Sequence, residues 1–132
     1  MTKFQSDIAR AKGTGSAHEG VAHWYAQRVT ALGLIPLSLW FVYSFATKFD
    51  LEYVAMLQWL SEPLTLTLAI LFIVLMFYHA YLGLQVVVED YVHSRFLRHT
   101  TLITLQLGML FLGALTVVYL IQIAMLGFQI SV

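Results

Sequence analysis

Three apolar stretches with almost no charge set the terms on which this chain can fold. They run from about Val29 to Ala46, from Leu64 to Val88 and from Leu102 to Phe128. Each is near or above the roughly 20 residues that a helix needs to cross about 30 Å of hydrocarbon. In lipid every backbone N–H and C=O must be satisfied within the segment, so a single apolar span of this kind is a helix. Charged residues make up only 11% of the 132, about half the share in a soluble domain. The expectation is an all-α membrane protein with three transmembrane helices. Residues 1–22 read as a polar cytoplasmic segment and residues 23–132 as the transmembrane domain.

The same composition removes several kinds of function. Seven basic and seven acidic residues leave a formal net charge of zero, which gives no electrostatic case for nucleic acid as a partner. The chain has no cysteine, so disulfides, zinc–thiolate sites, iron–sulfur ligation and thiol nucleophiles are excluded within it. The opening 20 residues are polar and lack an apolar core, so they do not read as a secretory signal. Asp7 and Glu19 argue against a mitochondrial transit peptide, a class poor in acids.

Charge placement predicts an orientation. Lys3, Arg10, Lys12 and Arg28 precede or open the first span, and Arg95 and Arg98 lie between the second and third. Lys48 alone falls in the first loop, beside Asp50, Glu52 and Glu62. The excess of Lys and Arg in cytoplasmic loops puts the N-terminus and second loop in the cytoplasm, and three spans leave the C-terminus periplasmic. Trp24 and Tyr25 supply interfacial aromatics before the first span, and Pro36 lies within it, where a kink is expected. The first loop, "KFDLEYVAMLQWLSEP", is too mixed to span and reads as a short interfacial helix. Pro63 suits the first turn of the helix that follows, with Ser61 or Glu62 before it.

His18, His23, His93 and His99 fall in polar or boundary segments, whereas His79 lies well inside the second span. It precedes the cytoplasmic end of that span by nine residues, or about 14 Å. An ionisable group at such depth marks a functional site by default. A neutral imidazole has one nitrogen lone pair available to a metal. The competing reading is a ring hydrogen-bonded to a carbonyl or hydroxyl of a neighbouring helix, and position alone leaves both standing. Gly83 is four residues on and Asp90 eleven, so His79, Gly83, Val86 and Asp90 form one stripe, expected to face a partner. Gly83 there admits either a planar group or close helix packing, and Tyr91 beside it either a ligand hydrogen bond or simple interfacial anchoring. If His79 ligates a haem with two histidine ligands, the second imidazole must come from another chain.

The pattern H-x-x-x-G, then D-Y after six residues, late in the second of three helices, resembles the hydrophobic membrane-anchor subunit of succinate dehydrogenase. "HWYAQRVTALGLIPL", residues 23 to 37, is similar to the start of that subunit's first helix. The likeness covers nearly the whole chain, and its motifs are moderately specific. The sibling C subunit typically shows Ser-x-x-His-Arg at its helix start and Arg-His-Leu after its haem histidine. Here "AQRVTA" and "QVVVEDY" stand instead, which favours the D-type anchor.

The resemblance implies that His79 is an axial ligand of a haem b shared with the C subunit (cytochrome b). It implies that Tyr91 hydrogen-bonds a ubiquinone carbonyl, with Asp90 ordering its surroundings, and that Arg28 and His23 meet a haem propionate. Arg28 is equally readable as a topology residue. The implied partners are the C, iron–sulfur and flavoprotein subunits and the lipid of a bacterial inner membrane. With no flavin motif, cluster ligands or succinate site, the chain is not expected to oxidise succinate itself. A C-type or fumarate reductase anchor, a haem-free structural anchor, and a small transporter subunit with His79 and Gln85 on a polar path are the alternatives.

Overall fold

The computed structural model describes residues 16–48, 50 and 52–131, and the side chains of 21–48, 50 and 52–130 among them. Lys3, Asp7, Arg10 and Lys12, on which part of the topology and targeting argument rests, lie outside the described residues. So do the side chains of His18 and Glu19.

Four helices follow in order: α1 (Ser16–Lys48), α2 (Tyr53–Ser61), α3 (Pro63–Tyr91) and α4 (Arg95–Ser131). Three of them are long and apolar enough to cross a membrane, over Val21–Lys48, Pro63–Tyr91 and Arg95–Ile130. The fold is all-α among the described residues, as the three apolar runs predict. The helices overrun those runs at both ends, because a helix already nucleated adds residues at little further cost. Thus α1 reaches back to Ser16, into the segment read as polar, and continues as one helix through Pro36.

The break between α2 and α3 is local chemistry. A proline disfavours helical backbone in the residue before it, and Glu62 is extended at φ −61° and ψ 128°. Pro63 then occupies the first turn of α3, where its missing N–H costs nothing. The Glu62 N–H donates back to the Trp59 carbonyl and closes α2. The Thr65 hydroxyl donates to the Glu62 carboxylate at 3.4 Å across the start of α3. At the other end of α3, Val92 turns extended at φ −95° and ψ 98°, and α4 starts three residues later at Arg95.

The helix α3 is the centre of the arrangement, with α1 against one face and α4 against the other, and α2 packs mainly on α4. Glycine sets how closely each pair meets. A Cβ on Gly33 would stand 3.1 Å from Leu75 Cδ1, and one on Gly113 would stand 3.4 Å from the Phe77 ring. Gly127 lies directly under the Leu57 carbonyl and the Ser61 hydroxyl, with no room for a side chain. Ser61 Oγ is 2.7 Å from both the Leu57 and Ala124 carbonyls and so ties α2 to α4. Among the described residues the buried hydrophobic side chains are Leu37, Leu57, Leu82 and Ala124. That is too few to drive folding in water, and the remaining apolar surface needs lipid or protein to cover it.

Candidate functional site

The seam between α1 and α3 carries the polar chemistry of the membrane interior. The two helices run antiparallel, with Gly33 beside Leu75, Thr30 beside His79 and Gln27 beside Gly83. His23, Gln27 and Thr30 recur at helical spacing and line one face of α1. Thr30 is buried at 5% exposure and, among the described residues, is one of three buried polar residues, with Ser44 and Thr65.

His79 is half-buried in this seam, and its Nδ1 lies 2.9 Å from Thr30 Oγ1. Thr30 Oγ1 is also 2.8 Å from the Ala26 carbonyl and 3.0 Å from the Gln27 carbonyl, both acceptors only. Nε2 of His79 makes no hydrogen bond among the described residues and is not sealed from the surface. One ring nitrogen is therefore satisfied within the chain and the other is available. A Cβ on Gly83 would be 3.7 Å from Gln27 Nε2, so Gly83 gives the amide room one turn beyond the imidazole.

The stripe expected to face a partner divides between two settings. Its first two members, His79 and Gly83, meet this chain's own α1, while Val86 and Asp90 are exposed. The reason is the apolar surroundings: a ring in hydrocarbon takes the nearest polar group, and Thr30 supplies it.

The structure does not gather the other candidates into one pocket. His23 is half-buried on the seam face of α1, two turns before Thr30, and its Nε2 is buried with no hydrogen-bond partner among the described residues. Arg28 lies about half a turn around α1 from Thr30, exposed, with its guanidinium carbon 5.2 Å from the centre of the Trp24 ring. Asp90 and Tyr91 close α3 about 16 Å along its axis from His79, both exposed. Beside them the Gln85 amide donates to Glu89 at 2.8 Å, and His93 Nδ1 lies 3.1 Å from the Tyr91 carbonyl. Asp90 and Arg28 make no ion pair among the described residues. Gln85 sits about two-thirds of a turn around α3 from His79, so the two do not share one polar path.

Thr30 and Gln27 are the functional candidates that reasoning from the sequence passed over. The signal was present in the spacing of His23, Gln27 and Thr30, four and then three residues apart at the start of an apolar helix. A groove of about 430 Å³ between α3 and α4, lined by Phe77, Tyr78, Tyr81, Gln106 and Gly113 among others, lies on the face of α3 away from His79.

A bis-histidine haem needs from each chain one imidazole with an accessible, unengaged ring nitrogen, and His79 Nε2 makes no hydrogen bond among the described residues. The described residues contain no cluster of three or more His, Cys, Asp or Glu that could hold a metal ion by themselves. His23 Nε2, by contrast, is closed off from the surface and has no partner among the described residues.

Comparison with known proteins agrees with this architecture. Residues 2–124 match the family described as succinate dehydrogenase/fumarate reductase transmembrane subunit. The chain is 38% identical over 104 residues to the succinate dehydrogenase hydrophobic membrane anchor subunit of Rickettsia bellii, covering 79% of this chain and 83% of the relative. It is 37% identical over 105 residues to that of Rickettsia conorii, with the same coverage of 79% and 83%. It is 31% identical over 81 residues to that of Paracoccus denitrificans, covering 61% and 63%. The match over residues 2–124 and these relatives place the chain in the succinate dehydrogenase/fumarate reductase transmembrane subunit family, a multi-pass membrane protein with three candidate spans.

Proposed function

We propose that this chain is the hydrophobic anchor of a succinate:ubiquinone oxidoreductase in a bacterial inner membrane. It holds the flavoprotein and iron–sulfur subunits at the cytoplasmic surface, pairs with a C-type cytochrome b subunit, and contributes to the site of ubiquinone reduction. Its N-terminus and the α3–α4 connection face the cytoplasm, where Arg95 and Arg98 lie.

The observation that carries the reading is His79: an imidazole inside an apolar span, with Nδ1 hydrogen-bonded and Nε2 left for a ligand. His79 Nε2 would hold a haem b together with an imidazole from the C subunit. When bound, the haem supplies one-electron redox chemistry beside the quinone site. A haem propionate would meet the cytoplasmic rim of α1, where His23 is the weaker candidate because its Nε2 is buried. Arg28, with its guanidinium carbon 5.2 Å from the centre of the Trp24 ring, is the cationic candidate for that rim. Tyr91, whose side chain is open at the end of α3, donates its phenolic hydrogen to a ubiquinone carbonyl, and Asp90 orders the same boundary. A reduced quinone takes up two protons, so a site at the polar end of a span suits it better than one at mid-bilayer.

A haem-free anchor would use the Thr30 hydrogen bond equally well, and the two readings part at Nε2. The test is an absorption spectrum of the complex co-purified with its partner subunits. The proposal expects a Soret band that His79→Ala abolishes; a native complex without haem, or a band indifferent to that substitution, rejects haem ligation by this chain.

A further inference from the structure

The Thr30 hydroxyl has a single proton and three neighbours. Two of them, the carbonyls of Ala26 and Gln27 at 2.8 and 3.0 Å, can only accept. Back-donation from a helical threonine to the carbonyl one turn earlier is its ordinary use within a span. With the proton placed there, Oγ1 presents only lone pairs to His79 Nδ1 at 2.9 Å, so the ring nitrogen must be the donor. A neutral imidazole has one N–H, and Nε2 is then left with its lone pair. The reverse arrangement, hydroxyl donating to Nδ1, places an N–H at Nε2, where no acceptor lies among the described residues. That unpaired donor in an apolar span is the worse outcome.

We propose that Thr30 is a positioning residue for His79: it accepts the Nδ1 hydrogen, holds the ring in one tautomer and orientation, and aims the Nε2 lone pair at the iron. This rests on the haem reading above and adds to it the outer partner of the ligand, supplied by α1 of the same chain. A donated Nδ1–H also makes the imidazole a more basic ligand, which favours the oxidised iron. Burial of Thr30 at 5% exposure keeps water from replacing the hydroxyl.

The test uses the intact complex with Thr30→Val, which keeps the shape and removes the acceptor, and Thr30→Ser, which restores it. The readouts are the haem midpoint potential and the electron paramagnetic resonance g-values of the ferric haem. The expected result is a positive shift in potential and altered g-values in Thr30→Val, with Thr30→Ser close to the unmodified complex. Loss of haem in Thr30→Val with retention in Thr30→Ser supports the same conclusion. Unchanged potential and g-values in a haem-containing Thr30→Val complex overturn it, as does loss of haem in both variants, which would make side-chain packing the cause. If the Soret band is indifferent to His79→Ala, the haem reading itself has failed and the Thr30 proposal fails with it. A His79-dependent haem that ignores Thr30 removes only the proposal made here.

Discussion

Tyr91 ends α3 with its side chain 78% exposed, one residue after the exposed Asp90 and two before His93. Its phenol makes no hydrogen bond among the described residues, so removing the hydroxyl tests the quinone contact. A neutral hydrogen bond contributes about 0.5–1.5 kcal/mol, so Tyr91→Phe is expected to raise the KM for ubiquinone roughly two- to tenfold. The check is the ratio of quinone-coupled to dye-coupled succinate oxidation in one preparation; an unchanged ratio makes Tyr91 an interfacial anchor only. At this scale the sequence was partly legible. An imidazole deep in a span announces itself, because few side chains of that polarity tolerate hydrocarbon. The identity of its companion did not follow, since the threonine that meets it lies 49 positions earlier and threonine is common in such helices.

Between elements, the two closest contacts are made by glycines with different neighbours, and they should respond differently to the same substitution. At Gly33 the nearest atom is the end of the Leu75 side chain at 3.1 Å, which can rotate away. At Gly127 the obstacles are the Leu57 backbone and the Ser61 hydroxyl, which cannot move without shifting α2. Gly33→Ala is expected to change thermal stability of the complex little. Gly127→Ala should destabilise it by about 1–3 kcal/mol, the usual cost of overpacking. Thermal unfolding of the detergent-solubilised complex distinguishes them, and equal midpoints would contradict the packing described for α2. The break before α3 was readable from Pro63 and its neighbour, because proline acts on the residue before it wherever it stands. The docking of α2 on α4 was not, because it depends on a glycine 66 positions after Ser61 in the chain.

For the molecule as a whole, orientation follows from charge and is open to direct measurement. The chain has no cysteine of its own, so single introduced cysteines report their side of the membrane cleanly. A membrane-impermeant maleimide is expected to label Asp50→Cys in intact spheroplasts and Ser94→Cys only after permeabilisation. The opposite pattern would invert the topology and move Tyr91 to the wrong side for a cytoplasmic quinone site. A row of helices with α3 between α1 and α4, and few buried apolar side chains, cannot cover its own surface. Lipid and partner subunits must do so.

By itself the sequence determined that the chain spans a membrane three times as helices, where its first connection bends, and which histidine stands in oil. These are local consequences of segment length, hydropathy and proline stereochemistry, each written within a few dozen neighbouring residues. Only the tertiary structure decided that α1 rather than another chain satisfies His79 Nδ1. It also decided that Gly127 lets α2 settle against α4, and that the histidine stripe divides between an internal seam and an open face. Those outcomes depend on which helices touch and at what register, and packing sets both through contacts between residues far apart in the chain.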